Sequence, residues 1–431
     1  MDFESAVRYL LSLGNEVETM KLGLESVRRL LSELGEPQKK YLKVQVAGTN
    51  GKGSVCAFLD SICREAGIKV GLYTSPHLIS ITERIKITGV EISEGDFARL
   101  ATRVREASET LVAAGDVENL PTFFEQVTAI ALLAFVESGV ELAILETGLG
   151  GRLDATTAAD AEIAAITRID LDHQEYLGDT IEEIAAEKAA IIREGASVVV
   201  GRQEDAALRV ILERCAEVGV TPSCEIYGPW QVTPAGANTN RVDTTRFVYP
   251  NVVLGLKGRH QAENAETALN VCQTLGYEFG FEFGDSNAVV SGLENASHPG
   301  RLEYIGRFLL DGAHNIGGAK ALRHYLDYEE ERPITMIFGA MRDKDVAEIA
   351  KILWPRAERL ILTHPSNSRT FAAEDLRQFL PNEVDPAKVH ITQNVADAVR
   401  MAEELTPPDS IILATGSLYL VGEVRKIALS R

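Results

Sequence analysis

The chain has 431 residues, 45% hydrophobic and 25% charged, with a formal net charge of −20; that is room for two or three globular domains and too acidic for a general nucleic-acid binder, whose partner demands a basic face. No apolar run approaches the length of a bilayer span, and Met1-Asp2-Phe3-Glu4 lacks the basic and apolar regions of a signal peptide. The cysteines (Cys56, Cys63, Cys215, Cys224, Cys272) are odd in number and without paired metal spacing, so they read as small buried residues, and the expectation is a cytoplasmic protein with neither nucleic acid nor membrane as partner.

Residues 4–12 and 24–34 have helical periodicity, with a loop at Met20-Lys21-Leu22-Gly23-Leu24 between them. Val44-Gln45-Val46 reads as a buried strand, and Gly48-Thr49-Asn50-Gly51-Lys52-Gly53-Ser54 as a glycine turn into a helix that begins near Val55. Strand, turn and helix make a phosphate cradle. Glycines let backbone N–H groups approach the anion, the helix N-terminus adds partial positive charge, and Lys52 adds a full one. The motif departs from the common nucleotide loop, with Val46 where that loop has Gly and Gly53 where it has Ser or Thr. A plain strand-to-helix turn is the alternative, but three glycines, a lysine and two hydroxyls in seven residues favour phosphate, with ATP as its source.

Val70–Tyr73 is a second strand that runs into Thr74-Ser75-Pro76-His77-Leu78, and Arg84–Ile92 reads as a small hairpin. Residues 94–114 are helical, and Thr122 caps a helix to about Glu137 that carries Phe123, Phe124 and Glu125 in its first turn. Leu142–Leu145 and Ile163–Ile166 are apolar runs of strand length, followed by Glu146 and by Asp170-Leu171-Asp172-His173. Residues 180–192 are helical and Val198–Val200 is a strand. This alternation predicts a mostly parallel sheet with helices on both faces. From 224 to 258 short strand-like pieces alternate with Pro, Gly and Asn, which suggests an antiparallel extension. A helix containing Asn264 follows, and then a helix over 286–295. His298-Pro299-Gly300-Arg301 reads as a hinge, after which strands recur at Phe308–Leu310, Thr335–Phe338, Leu360–Leu362, Val389–Ile391 and Ile411–Leu413. The fold class is α/β: an N-terminal domain over residues 1–297 with a phosphate-loop, mostly parallel sheet, and a smaller doubly wound, Rossmann-like domain over 298–431.

In such sheets ligands gather beyond the carboxyl ends of the strands. Ser75, Glu146 and His173 all sit there, and one hydroxyl, one carboxylate and one imidazole beside Lys52 suit Mg²⁺, which takes phosphate oxygens as further ligands. Each alone reads as a cap or turn residue. Asp311-Gly312-Ala313-His314-Asn315 and Gly416-Ser417 end strands of the second domain, where alone they read as strand-to-helix turns. The cysteines lack an activating partner and no nucleophile elbow is present, which argues against covalent enzyme catalysis. Lys188 has only apolar neighbours at helical spacing (Ile184, Ala185, Ile191, Ile192), and its plain reading is a lysine that snorkels to solvent.

With these residues assembled, the chain resembles the folylpolyglutamate synthase and bifunctional dihydrofolate synthase family of the Mur ligase superfamily. The resemblance rests on the 48–54 loop, Thr74–Leu78 with Glu83-Arg84, Glu146–Thr156, Leu171-Asp172-His173, Glu187-Lys188-Ala189, Arg259-His260-Gln261 with Asn264, Pro299-Gly300-Arg301, Asp311–Asn315 and Thr415-Gly416-Ser417, in family order. It implies an ATP-dependent amide ligase that joins L-glutamate to a folate through an acyl phosphate, expected to work as a monomer on small-molecule substrates. It implies a central domain for ATP and folate and a C-terminal domain for glutamate. Residues 48–54 would hold the ATP phosphates, with Lys52 catalytic. Asn264, Arg301 and Asp311 would contact the nucleotide, and Ser75, Glu146 and His173 would bind Mg²⁺. His314, also catalytic, and Ser417 would lie near the incoming glutamate. Lys21, Leu22 and Gly23 with Thr122, Phe123, Phe124 and Glu125 would line the pterin pocket. Lys188 resembles a lysine carbamylated by CO₂, a group that would add oxygens toward the metal. Ile316, Thr157 and Ala190 depart from the family's usual Pro, Asn and Gly, and Met20-Lys21 replaces an Ile-Asp pair common in bifunctional members, which leaves dihydropteroate open as an acceptor. A peptidoglycan ligase with the same chemistry is the nearest rival. A nucleotide-binding regulator without catalysis is another, against which the presence of Glu146, His173 and Lys188 speaks.

Overall fold

A computed structural model of the chain describes residues 1–14, 23–224, 231–235, 239–243, 248–283 and 286–431. Its first sheet contains β1 (Leu42–Ala47), β2 (Val70–Tyr73), β3 (Ile85–Ile87), β4 (Val90–Glu91), β5 (Leu142–Glu146), β6 (Ile163–Ile166), β7 (Ser197–Val200) and β8 (Pro222–Cys224). Their order is β4-β3-β2-β5-β1-β6-β7-β8, parallel from β2 to β8 and antiparallel at β3 and β4. The strand that feeds the phosphate loop is thus central, with β5 and β6, both later in the chain, at its two sides.

Central parallel strands are buried on both faces, and the side chains alternate between two cores. Val44, Val46, Leu142 and Ile144 pack against the helices Lys52–Glu65 and Gln261–Phe279. Ala143 and Leu145 pack on the other side against Phe123–Glu137 and the helices Phe3–Ser12, Glu25–Glu33 and Glu94–Ala114. The polar members of β1 are paired in that interior: Lys43 with Glu162 at 3.0 Å, and Gln45 with Thr156 and Thr157 at 2.9 and 2.8 Å. The region expected to form an antiparallel extension is a three-stranded sheet, β9 (Gln231–Pro234), β10 (Asn240–Asp243) and β11 (Val248–Val252), in the order β11-β10-β9.

The second domain's sheet contains β12 (Glu303–Ile305), β13 (Phe308–Leu310), β14 (Ile334–Phe338), β15 (Arg359–Leu362), β16 (Val389–Ile391) and β17 (Ile411–Thr415), in the order β12-β13-β17-β14-β15-β16. All five strands expected from sequence are present and parallel. The antiparallel edge strand β12, the helix Asp205–Glu217 and β8 were not expected from the pattern. Two boundaries differ from expectation. The loop helix starts at Lys52 rather than Val55, so the last glycine and Ser54 already belong to it, and the 180–192 helix ends at Ala189.

Candidate active site

The phosphate loop is held from outside. Thr49 N and Asn50 N donate to the Arg168 carbonyl at 2.9 and 3.1 Å, and Asn50 Nδ2 donates to Asp170 Oδ2 at 2.7 Å. Gly51 takes φ 90°, and a Cβ there would stand 2.2 Å from Asn264 Oδ1; a Cβ on Gly53 would stand 2.5 Å from His298 Nε2. Bare backbone therefore opens the helix Lys52–Glu65, which carries no side-chain cap. Its first-turn amides are left for an anion.

Lys52 Nζ donates to the carbonyls of Gly48 and Thr49 at 3.0 and 3.2 Å. Burial lowers its pKa, and the Glu146 carboxylate opposes that shift. Lys188 does not snorkel. It is buried and its Nζ donates to the same Gly48 oxygen at 2.9 Å. The apolar neighbours read from sequence belong to the core, and the ammonium turns inward to the phosphate-loop backbone and the cavity. Burial, and then the charge on Lys52, push its pKa down to about 7.

Glu146 ends β5 and accepts the Ser75 amide at 3.1 Å; burial raises its pKa. The Ser75 hydroxyl and His173 Nδ1 are both buried without a hydrogen-bond partner. His173 Nε2 lies 3.2 Å from Lys344 Nζ, and burial holds the ring's pKa at about 4, so it is a neutral imidazole. Among the described residues no three His, Cys, Asp or Glu side chains form a metal-holding group. The orphaned hydroxyl, the carboxylate and the neutral imidazole fit a divalent ion that brings phosphate and water oxygens of its own.

The second domain supplies the facing wall. Asp311 accepts Leu302 N and Ala313 N at 3.0 Å each, and burial raises its pKa against the pull of Arg301. His314 Nδ1 lies 2.7 Å from the Gly312 carbonyl; burial brings its pKa to about 4. Ser417 Oγ accepts Tyr419 N at 3.2 Å and caps the helix Leu418–Leu429. Asn264 Nδ2 donates to Gln261 Oε1 at 2.9 Å.

Thr122 and Glu125 form a reciprocal capping box, with Thr122 N on Glu125 Oε2 at 2.7 Å. The Phe124 ring lies 6.0 Å from that of Tyr73. Phe123 points the other way: it is buried in the core with the Arg84 guanidinium 5.5 Å from its ring. It does not line the cavity, because consecutive helix residues face different directions. Lys21 and Leu22 lie outside the described residues.

These groups share one cavity of about 1720 Å³, lined by Gly23, residues 49–54, Ser75, Thr122, Phe124, Glu125, Glu146, His173, Lys188, Asn264, Arg301, Asp311, His314 and Ser417. Gly48 does not line it; its carbonyl instead holds both lysines. Sequence reasoning missed Lys344, which closes on Asp172 at 2.7 Å. Its signal was available: Arg342-Asp343-Lys344-Asp345 is a charged cluster a few residues beyond the carboxyl end of β14.

Residues 46–272 match the model of the Mur ligase middle domain, and residues 300–418 match that of the Mur ligase, glutamate ligase domain. The chain belongs to the folylpolyglutamate and dihydrofolate synthase family of Mur ligases. It is 35% identical over 418 residues to the dihydrofolate synthase/folylpolyglutamate synthase of Bacillus subtilis, covering 94% of this chain and 95% of that protein. It is 37% identical over 435 residues to a probable bifunctional folylpolyglutamate synthase/dihydropteroate synthase of Haloferax volcanii, covering 99% of this chain but 50% of that protein, so it spans half the length of that relative. The crystal structure of the bifunctional folylpolyglutamate synthase/dihydrofolate synthase of Yersinia pestis complexed with AMPPNP and Mn ion is 30% identical, with a TM-score of 0.85 over 100% of this chain and 98% of that one. No described helix is long and apolar enough to cross a membrane.

Proposed function

We propose that the chain adds L-glutamate to the carboxylate of a folate, tetrahydrofolate above all, with dihydropteroate as a second acceptor, and consumes ATP in doing so. The observation that carries this reading is the single cavity that Lys52, Ser75 and Glu146 line from one domain and Arg301, Asp311, His314 and Ser417 from the other. The acceptor carboxylate attacks the γ-phosphorus, ADP leaves and an acyl phosphate forms. The amino group of glutamate then attacks the acyl carbon, and phosphate leaves as the amide bond closes. Phosphoryl transfer of this kind is mostly positioning and charge neutralisation, which Lys52 and the uncapped helix start provide. His314 has its Nδ1 on Gly312, so Nε2 offers a lone pair for the proton that the glutamate nitrogen sheds. Closing the cavity excludes the water that would hydrolyse the acyl phosphate.

Ser75, Glu146 and His173 are the residues that would hold a divalent ion, which supplies charge neutralisation to the ATP phosphates when bound. The Yersinia pestis relative, complexed with AMPPNP and Mn ion, supports the use of a divalent ion. Lys188 is the residue we propose to be carbamylated: its lowered pKa leaves a neutral amine for CO₂. The site is built within one chain, and we propose a monomer acting in the cytoplasm. Purified protein incubated with ATP, Mg²⁺, glutamate and each acceptor in turn, read by product mass, tests the reading; ADP release that needs neither glutamate nor acceptor would sink it.

A further inference from the structure

Asp172 follows β6 in the nucleotide domain, yet most of what holds its side chain comes from the other domain. Lys344 Nζ lies 2.7 Å from Oδ1, and Asn315 Nδ2 donates to Oδ2 at 2.9 Å. His314 Nε2 stands 3.7 Å from Oδ2. From its own domain the carboxylate receives the His173 amide at 2.9 Å, with the His173 ring 3.9 Å away. The carboxylate and the ammonium are 8% and 7% exposed. Asn315 reaches further: Nδ2 also donates to Asn50 Oδ1 of the phosphate loop at 3.1 Å, while its Oδ1 accepts Gly318 N at 2.8 Å and caps the helix Ile316–Tyr328.

A buried charge is costly unless paired and hydrogen-bonded. Separating the domains would strip Asp172 of Lys344 and Asn315 together, and would leave Lys344 with Asp343 at 3.4 Å as its remaining carboxylate. Apolar surfaces slide past one another, whereas a paired buried charge with a second hydrogen bond fixes register. The register fixed here sets His314 and the start of the 316–328 helix opposite the phosphate loop.

We propose that Asp172 is a positioning residue that docks the second domain on the first through Lys344 and Asn315, so that the glutamate-side groups face the ATP phosphates. The proposal rests on the ligase reading for its kinetic consequence and on geometry alone for docking.

Asp172→Asn keeps the side-chain shape and removes the charge. With an ATP analogue bound, small-angle scattering should show the variant more extended than the wild type. Its kcat/KM for glutamate should fall by about a hundredfold, the loss expected when reacting groups are misplaced by an ångström. Lys344→Met should give the same two changes, and the double variant should lose no more than the worse single, because both remove one contact. If Asp172→Asn does not fold, Lys344→Met and Asn315→Ala read the same quantities. Unchanged scattering overturns the proposal whether or not activity falls, and so do additive losses in the double variant. A wild-type protein that forms no glutamyl product overturns the ligase reading instead, and scattering still decides the docking.

Discussion

Lys52 and Lys188 donate to the same atom, the carbonyl oxygen of Gly48, at 3.0 and 2.9 Å. Two buried ammonium groups on one acceptor repel, and burial lowers the pKa of both. Glu146 supports the charge on Lys52, whereas burial and Lys52 itself bring Lys188 to about 7. Near neutral pH the proton on Lys188 is therefore readily lost. That suits the proposed roles, a loop that accepts a polyanion and an amine that reacts with CO₂.

The first expectation concerns stability. Lys188 has a folded-state pKa of about 7 against an ordinary 10.5. Between those values the unfolded chain carries the extra proton, so this group makes stability rise with pH from about 7 to about 10 and leaves it flat below. Denaturant unfolding of wild type and Lys188→Met across that range measures it. In CO₂-free buffer, where the amine is free, the wild-type curve should rise relative to the variant's; parallel curves there would show that Lys188 titrates normally.

Lys188→Ala should fold and be nearly inactive, with small carboxylic acids partly restoring turnover by occupying the place of the carbamate. ¹³C NMR in labelled bicarbonate provides a direct reading, a carbamate carbonyl signal in wild type that is absent from the variant. An active ATP-bound enzyme with no such signal would remove the carbamate from the proposal.

The second domain's parallel strands were legible because strands buried on both faces read as continuous apolar runs such as Ile411–Leu413. The capping box of Thr122 and Glu125 was half legible, since Thr122 announced the helix and Glu125 stands at the reciprocal position. β12 was not, because Glu303-Tyr304-Ile305 is a half-buried edge with neither an apolar run nor strict alternation. Lys188 illustrates the larger limit. Helical spacing showed apolar neighbours, but whether the side chain runs to water or turns inward depends on Gly48, far away in the chain. The pairing of Asp172 with Lys344 escaped notice for the same reason: Asp172 stands in the Leu171-Asp172-His173 motif and Lys344 in a charged cluster, but nothing in either segment marks the other as its partner.

Glu146→Gln should keep the fold and lose most turnover together with its dependence on divalent metal. Burial already raises the Glu146 pKa, so removing the charge relieves desolvation, and the amide oxygen can still accept Ser75 N. The melting temperature should be unchanged or slightly higher. A variant that melts far below wild type, while its folded fraction stays fully active, would make Glu146 structural and withdraw it from the metal site.

Acid should destabilise the protein well above the carboxylate range. Burial holds His77 and His298 at about 3 and His173, His260 and His314 at about 4, against an ordinary 6.5. Between about 6.5 and 4 the unfolded chain binds protons that the folded one refuses, so stability contributed by these groups is present above 6.5 and is lost as pH falls toward 4. Glu146 and Asp311, raised by burial, act in the opposite direction above their ordinary values. Unfolding free energy measured from pH 7 to 5 should fall steadily; a flat profile would mean that these rings are solvated.

Gly51 and Gly53 separate two ways in which an added methyl group can damage the phosphate loop. Gly51 has φ 90° as well as a contact: its Cβ would meet Asn264 Oδ1 at 2.2 Å, and Asn264 is buried and tied to Gln261. Gly51→Ala should therefore lower stability by about 1–3 kcal/mol from backbone strain alone and also push Asn264 off its place beside the loop. Gly53 lies inside the helix with no such φ, and its Cβ would meet the His298 ring at 2.5 Å and Glu146 Oε1 at 3.3 Å. Gly53→Ala should cost less stability, because alanine is the better helix former and a ring can turn aside, yet it should weaken ATP binding by filling space in the cradle. Thermal unfolding and calorimetric ATP titration of both variants separate the effects. If Gly53→Ala binds ATP as the wild type does, the phosphates do not lie against this helix start, and the loop holds its ligand elsewhere.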